Sequence, residues 1–362
     1  MRIILAISTI LICVTVGCST YPNRISINNT VESGDINSDI TCTNSNNPKE
    51  QQDRSYLPQN NNKLILTGEE PCRIKYHKLN SLSRNIVIEG NLGDNNKYPV
   101  ILDTGASQPV VINAALVRKY KLPVCNTEDI NQDFNGHSLG ICHLTKLDIG
   151  QVILEGWSCI YFESNNRLNL FGIPIASSIY RSDNIILGLP LLREFKYIVF
   201  DNINKEVEMS YHQSFEPDYQ EGWKTYPIFI EEDFHGNAFL FVRINIAGQE
   251  TELQLDTGSG RGMAISETLW KNLSNGINKV KLKKGKDFYP YIGNLQCKKG
   301  EISKLEFGDR TIDNAQISVF NDECPLLDGC EGLVGMQYFA NSIFVLDFEH
   351  EQMLIKEHGA LK

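Results

Sequence analysis

The chain has 362 residues, of which 41% are hydrophobic, and it carries a formal net charge of −10. This length suits two domains of roughly 100–200 residues, each able to bury a core. An acidic chain lacks the basic face that nucleic-acid binding needs, so we expect no nucleic-acid partner.

The N-terminus is typical of an export signal. A basic start is followed by an apolar run over residues 3–16, which is shorter than the roughly 20 residues of a membrane-spanning helix. The letters TVGC at 15–18 resemble a bacterial lipobox, in which Thr15 replaces the usual Leu, Val or Ile. We therefore expect a lipoprotein-type signal peptide at 1–17 and a lipidated Cys18, which would anchor the chain in the bacterial cell envelope on its periplasmic or extracellular face. Ordinary secretion and a retained anchor are the alternatives.

A polar tether follows the anchor. Residues 19–62 are rich in Asn, Ser, Asp and Gln and poor in apolar residues, so they cannot bury enough surface to fold alone. We predict that residues 18–72 comprise the lipidated cysteine and a disordered tether. A spacer function is equally consistent with this composition.

Eight cysteines lie beyond Cys18, and an even number in an exported chain favours disulfides. Cys324 and Cys330 lie six residues apart around a proline and a glycine, so we expect this pair to form a disulfide. The sequence assigns no other pair. A zinc site is an alternative that we do not favour, since the spacing matches no familiar structural zinc site; its ligands would be His137, Cys142 and His143.

After the tether the sequence repeats itself. Three segments recur in the same order: 85–120 with 238–273, 146–162 with 304–320, and 184–201 with 331–347. The first pair reads strand, turn, strand, Asp-Thr-Gly, strand and helix in both copies. We therefore predict two homologous lobes of short strands, lobe 1 at 73–213 and lobe 2 at 223–362, joined by a linker at 214–222.

Each lobe carries two motifs. Asp-Thr-Gly follows an apolar strand at Asp103 and at Asp256, and an apolar-apolar-Gly strand ends later at Gly188 and at Gly335. In register within a duplicated context, these motifs resemble the aspartic proteases, either bilobal and pepsin-like or built from two fused retropepsin-like domains. The resemblance covers nearly all of residues 80–355. It implies an all-β fold with two β-barrel-like lobes and the active site between them.

The chemistry explains why the triplet occurs twice. Hydrolysis of a peptide bond without a metal or a nucleophilic side chain needs an activated water. One carboxylate accepts a proton from the water, another carboxyl group donates to the substrate oxygen, and two close carboxyl groups share one proton. We therefore expect Asp103 and Asp256 to act as the catalytic dyad of an aspartic endopeptidase. Its substrate would be an extended polypeptide, and no metal or organic cofactor is implied.

The resemblance also assigns the residues around the dyad. The loops that support it would contain Thr104, Gly105, Ala106, Thr257, Gly258 and Ser259. The two threonines are expected to hydrogen-bond across the lobes, and Gly188 and Gly335 to pack behind the loops, where a side chain would collide.

The two loops differ after the glycine, where lobe 1 has Ala106 and lobe 2 has Ser259. A hydroxyl group that donates to a carboxylate favours its charged form and lowers its pKa. We therefore expect Asp256 to carry the charge and Asp103 the proton.

Proteases of this type cover the cleft with a hairpin. The hairpin of lobe 1 lacks the tyrosine of a pepsin-like flap, and aromatic residues in strands are also common in cores. The flap candidates are Phe134 and His137 in lobe 1, and Tyr289 and Tyr291 in lobe 2.

Two alternatives remain open. The first is a non-catalytic cell-envelope lipoprotein that keeps the fold in order to bind peptides or a partner; the intact triplets in both lobes argue against it. The second is an enzyme in which each lobe pairs with a lobe of another molecule. We expect instead a monomer whose two lobes form an intramolecular pseudo-dimer.

Overall fold

The structure is a computed structural model, and it describes residues 62–77, 85–125, 133–134, 137–162, 167–170, 173–176, 184–232, 237–246, 248–274, 280–289, 293–327 and 330–357. The predicted signal peptide, Cys18 and most of the predicted tether lie outside these ranges. Within them, no helix is both long enough and apolar enough to cross a bilayer.

Short strands dominate the first half of the described chain. Its strands are β1 (Lys63–Leu66), β2 (Cys72–Lys75), β3 (Val87–Gly90), β4 (Tyr98–Asp103), β5 (Val110–Asn113), β6 (Asp133–Phe134), β7 (His137–His143), β8 (Leu147–Ile149), β9 (Val152–Glu155), β10 (Ser158–Phe162), β11 (Arg167–Leu170), β12 (Ile173–Ala176), β13 (Ile185–Gly188), β14 (Tyr197–Asp201) and β15 (Glu206–Ser210). Its helices are α1 (Ala114–Tyr120) and α2 (Leu189–Leu192).

The second half has the same character. Its strands are β16 (Lys224–Glu232), β17 (Ala238–Ile246), β18 (Gln249–Asp256), β19 (Met263–Ser266), β20 (Lys283–Tyr289), β21 (Gly293–Phe307), β22 (Arg310–Phe320), β23 (Gly332–Gly335), β24 (Ser342–Asp347) and β25 (Gln352–Glu357). Helix α3 spans Glu267–Ser274, and short 3₁₀ turns occur at Tyr219–Glu221, Pro325–Leu327 and Met336–Phe339.

The two halves share one strand topology. In lobe 1, β4 pairs in parallel with β13, β13 pairs antiparallel with β5, and β5 pairs in parallel with β10. In lobe 2, β18, β23, β19 and β22 make the same three pairings in the same order. The register repeats as well, since Asp103 lies opposite Gly188 and Asp256 opposite Gly335. The repeat in the sequence is therefore a repeat in the structure, and the predicted all-β, two-lobed fold class is confirmed.

The central strands of each lobe are buried along their whole length, which explains their composition. β5, β13, β19 and β23 have no exposed residue. Strands covered on both faces read as continuous apolar runs rather than as alternating patterns. β4 ends such an apolar run in Asp103, whereas β18 alternates polar and apolar residues and ends in Asp256, so each aspartate is placed at a strand end.

One sheet joins the lobes. Its strands run in the order β2, β15, β14, β24, β25 and β16, so β14 of lobe 1 pairs antiparallel with β24 of lobe 2. Phe200 and Phe344 lie opposite each other at this junction, with ring centroids 5.4 Å apart. Backbone hydrogen bonds and stacked aromatic rings thus fix the two lobes to each other within a single chain.

The predicted disulfide between Cys324 and Cys330 is not formed in the structure. Both residues are free thiols, as are the other cysteines of the described ranges. Cys324 is buried in an apolar cluster with Tyr289, whereas the Cys330 Sγ atom lies 3.7 Å from Gln254 Oε1. The pairing was inferred from spacing alone, but here the Cys330 thiol contacts an amide instead of the other thiol.

Candidate active site

Two turns of the same conformation carry the aspartates. Each begins where a buried strand ends, at Asp103 of β4 and at Asp256 of β18. The Ala106 N–H donates to the Asp103 carbonyl oxygen at 3.2 Å, and the Ser259 N–H donates to the Asp256 carbonyl oxygen at the same distance. The shared turn aims both carboxyl groups at the junction between the lobes.

The glycine of each turn faces the aspartate of the other lobe. A Cβ atom at Gly105 would lie 2.7 Å from the Asp256 Cγ atom, and one at Gly258 would overlap the Asp103 carboxyl group. Any side chain at either position would therefore push the opposite carboxyl group away. This close approach is the reason for a glycine in both triplets.

The threonines bind the two turns together. The Thr104 N–H donates to Thr257 Oγ1 at 3.0 Å, and the Thr257 N–H donates to Thr104 Oγ1 at 3.1 Å. Each hydroxyl in turn donates to a backbone carbonyl of the other lobe, Thr104 to Leu255 at 2.6 Å and Thr257 to Leu102 at 2.8 Å. Both threonines are fully buried, and these four bonds are the cross-lobe contact that the resemblance implied.

Gly188 and Gly335 lie directly behind the turns. A Cβ atom at Gly188 would come within 2.6 Å of the Ala106 carbonyl oxygen, and one at Gly335 within 2.6 Å of the Ser259 carbonyl oxygen. Those carbonyls accept backbone hydrogen bonds from the residues that follow the two glycines, at 2.9 Å and 2.8 Å. A larger residue would break this backing, as the sequence analysis expected.

The two carboxyl groups form one electrostatic unit. They hydrogen-bond to each other, and each also accepts a backbone N–H, Asp103 Oδ1 from Gly105 at 2.9 Å and Asp256 Oδ1 from Ser259 at 2.8 Å. Burial raises the pKa of both groups. The pKa of Asp256 is raised further, because burial is reinforced by the negative charge on Asp103. The two groups therefore share one proton and titrate as a pair.

The hydroxyl contact expected from Ser259 is not made. The expectation rested on a hydroxyl group that donates to Asp256. In the structure Ser259 contacts that carboxylate through its backbone N–H, and its hydroxyl oxygen accepts a hydrogen bond from the Arg261 N–H at 3.3 Å. The alanine-to-serine difference between the lobes thus does not decide which aspartate is charged.

Two side-chain amides, which the sequence did not single out, also hold the Asp-Thr-Gly turns in place. The Asn85 side chain donates to the Gly258 carbonyl oxygen, and Gln254 Nε2 donates to the Gly105 carbonyl oxygen at 3.4 Å. Each amide holds the turn of the opposite lobe. The equivalent positions of the repeat are Ala238 and Ile101, which are apolar, so comparison of the two lobes could not reveal them.

The flap candidates lie on equivalent hairpins. Hairpin β6–β7 packs beside β10 as hairpin β20–β21 packs beside β22. The side chains of Phe134 and His137 lie outside the described part of the structure, and so does Tyr291. Tyr289 is buried, and its ring meets Phe320 edge to face at 6.2 Å. It therefore packs as a core residue of lobe 2, close enough to Asp256 for that charge to raise the pKa of its hydroxyl, after burial and Asp287.

A further buried carboxylate lies on hairpin β20–β21. Asp287 is 2% exposed and contacts four groups: Lys299 Nζ at 2.7 Å, the Ser318 hydroxyl, Arg261 Nε at 3.6 Å and Cys297 Sγ at 3.7 Å. Burial alone would raise the pKa of Asp287, but the hydrogen bonds from Lys299 and Ser318 outweigh it, so the pKa lies below its usual range. Asp287 therefore holds two cations beside the turn that carries Asp256. Sequence reasoning did not single out this residue.

Within the described ranges, no group of three or more His, Cys, Asp or Glu side chains is arranged to hold a metal ion. His143 and Cys142, two members of the zinc alternative, lie on β7. The Nε2 atom of His143 is instead 3.3 Å from the thiol of Cys125.

Comparison with known proteins gives similarities of fold. No protein-family model matches the chain, and no curated protein matches it. Among solved structures it is similar to basic 7S globulin from soybean, with 9% identity and a TM-score of 0.42 over 81% of this chain and 94% of that one. It is also similar to conglutin gamma, a basic 7S globulin from lupine seeds, with 9% identity and a TM-score of 0.40 over 80% of this chain and 96% of that one.

A third similarity is to a retropepsin-like aspartic protease from Rickettsia conorii. It has 13% identity and a TM-score of 0.26, and it covers 37% of this chain and 92% of that one. At such identities and TM-scores none of the three decides between a protease and a binding protein. The strand topology and the paired turns described above are the evidence for the bilobal, aspartic-protease-like fold.

Proposed function

We propose that the protein is an aspartic endopeptidase in which Asp103 and Asp256 share one proton. The observation that carries this proposal is the pair of hydrogen-bonded carboxyl groups, one from each lobe, whose pKa values are both raised by burial. A purely structural carboxylate pair would be expected to have a cation as partner, whereas each of these groups accepts hydrogen bonds from backbone N–H groups.

The proposed mechanism divides the work between the two groups. We assign the proton to Asp256, so that Asp103 accepts a proton from a water whose oxygen bonds to the carbonyl carbon of the substrate. Asp256 donates its proton to the carbonyl oxygen, which gives a tetrahedral diol. When the carbon–nitrogen bond breaks, Asp103 passes its proton to the leaving amine, and Asp256 recovers a proton from the collapsing diol. No net proton or electron is consumed beyond the added water.

The substrate would be a polypeptide lying extended between the lobes, bound in part by backbone hydrogen bonds like an added strand. The chemistry uses only the two carboxyl groups and water, so the proposal includes no cofactor. It also includes a lipid anchor at Cys18 in the bacterial cell envelope, supported by the apolar run at 3–16 and the TVGC letters. Mass spectrometry of the N-terminal peptide, with Cys18→Ala as control, tests the anchor.

The activity is tested with the full chain in detergent. We would incubate it with a diverse peptide pool from about pH 3 to about pH 8 and identify the products by mass spectrometry. Asp103→Asn and Asp256→Asn should each lower kcat by roughly 10²–10⁴, because each removes one proton-transfer group. Cleavage that survives in either variant would contradict a shared dyad.

The second candidate is a protein that keeps the fold to bind peptides or a partner without hydrolysis. It needs the same two lobes and the same extended polypeptide between them, so it remains the alternative. The same experiment separates the two: folded wild-type chain that cleaves nothing across the pH range would favour the binding protein.

A further inference from the structure

We propose that lobe 2 selects acidic polypeptides, and that Arg261 is the residue that binds their carboxylates next to the dyad. This inference rests on the proposed function as far as cleavage is concerned, but the binding that it describes does not require catalysis.

Arg261 lies near the dyad along the chain and is open to solvent. It follows Asp256 by five residues, in the loop between β18 and β19, and its side chain is 51% exposed. Among the described residues, its recorded side-chain partner is Asp287, reached through Nε at 3.6 Å. The two terminal nitrogens of the guanidinium form the planar fork that pairs with a carboxylate in two parallel hydrogen bonds.

Asp287 neutralises only one of the two cations that it contacts. Its buried carboxylate contacts both Lys299 and Arg261, so one negative charge holds two positive ones at the surface. Because Asp287 is almost fully buried, an incoming anion would meet the two exposed cations and not the carboxylate behind them. The arrangement therefore leaves a net positive site beside the turn.

The hairpin that carries Asp287 extends this charge. Residues 281–299 hold six lysines in a chain of net charge −10. Lys283 lies opposite Lys299 on the face of the hairpin that carries Asp287. Like charges directly opposite each other destabilise a sheet. Four of these lysines are exposed and have no ion-pair partner among the described residues; they are Lys281, Lys283, Lys284 and Lys286. An anionic partner bound at these lysines would offset the repulsion between them.

A simpler explanation covers only part of this pattern. β20 is the edge strand of its sheet, and exposed lysines protect edge strands from pairing with other chains. Edge protection does not explain the arginine in the loop after Asp256, and it does not explain the buried carboxylate of Asp287 that contacts this arginine. The equivalent position in lobe 1 is Gln108, which is neutral, so the positive charge belongs to one side of the cleft.

The test measures peptide binding in the Asp103→Asn background, so that no peptide is cleaved. The probes are two fluorescein-labelled peptides that differ only in Glu or Gln at the flanking positions, and the readout is fluorescence anisotropy. We expect the Glu peptide to bind about tenfold more tightly than the Gln peptide, and this preference to shrink as salt screens the charges. Arg261→Gln should remove most of it.

Matched variants keep the test specific. Arg243 is 47% exposed and pairs with Glu252 at 3.5 Å, so Arg243→Gln removes a similar surface cation elsewhere on lobe 2 and should leave the preference unchanged. Arg261→Lys retains the charge and should retain part of the preference. A preference that survives in Arg261→Gln, or that is lost equally in Arg243→Gln, would overturn the inference.

Two further outcomes distinguish this inference from the proposed function and from a membrane contact. A wild-type chain that prefers the Glu peptide but cleaves nothing would leave the inference standing and contradict the proposed function. Equal binding of both peptides, or none, would overturn the inference. If the chain then associated with phosphatidylglycerol-containing micelles through Arg261, the surface would be a membrane contact instead.

Discussion

The stability of the folded state depends on the protonation of two carboxyl groups that are buried side by side. Each pKa is raised by burial, and that of Asp256 is raised further by its charged neighbour. A group whose folded-state pKa lies above its unfolded value stabilises the protein at low pH, and this contribution is lost as the pH rises through the folded pKa. At neutral pH the dyad therefore lowers the free energy of unfolding, which is typical of a site kept for function.

Because the dyad lowers the free energy of unfolding at neutral pH, we predict that removing one of its carboxyl groups stabilises the protein. Asp256→Asn removes an ionisable group whose charged form the fold disfavours, while it keeps the size of the side chain. We expect its melting temperature to exceed that of the wild type at neutral pH and the difference to vanish at a pH where the wild-type dyad is protonated. Thermal unfolding followed by circular dichroism at both pH values measures this. An increase in melting temperature of the same size at both pH values would show that ionisation of the dyad is not the cause.

At the scale of elements, the two Asp-Thr-Gly turns stabilise each other. Thr104→Val removes the acceptor of the Thr257 N–H and the donor to the Leu255 carbonyl, and it leaves both groups buried without a partner. Such a loss costs about 1–3 kcal/mol for each group. We expect a decrease in the free energy of unfolding of at least about 1 kcal/mol in urea denaturation.

Thr104→Ser is the matched control for that substitution. It keeps the hydroxyl group and should lose much less stability than Thr104→Val. If serine and valine were equally destabilising, the missing methyl packing and not the hydrogen bonds would account for the effect.

Those elements that repeat could be predicted from the sequence, and those that do not repeat could not. The triplets, the backing glycines Gly188 and Gly335 and the two-lobed plan each occur twice, so each copy supports the other. Asn85 and Gln254 have apolar equivalents, and Asp287 acts through residues distant in the sequence. Such contacts depend on how the strands are arranged in space, which spacing along the chain does not report.

The hydroxyl contact expected from Ser259 to Asp256 is not made, for a related reason. The expectation relied on the identity of Ser259, whereas the pKa of a buried pair depends on the orientation of each hydroxyl and on the depth of each carboxyl group. The expected disulfide failed in the same way, because six residues of spacing between Cys324 and Cys330 do not say where each thiol points.

At the scale of the whole molecule, the lobes are joined in a way that favours a dyad within one chain. Strand β14 pairs with β24 over five residue pairs, from Tyr197 with Asp347 to Asp201 with Ile343. The hydrogen bonds between Thr104 and Thr257 form a second set of bonds between the lobes. Exchange of lobes between molecules would require both sets of bonds to break. We therefore propose a monomer in which both aspartates belong to the same chain.

A complementation experiment decides this point. Asp103→Asn and Asp256→Asn chains each retain one intact aspartate, in opposite lobes. If lobes paired between molecules, a mixture of the two would form sites with Asp103 from one chain and Asp256 from the other, and activity would return. We expect the mixture to stay as inactive as either variant alone, even after partial unfolding in urea and refolding of each variant separately. Recovered activity in native mixtures, together with elution of the wild type as a dimer, would instead place the functional dyad between two chains.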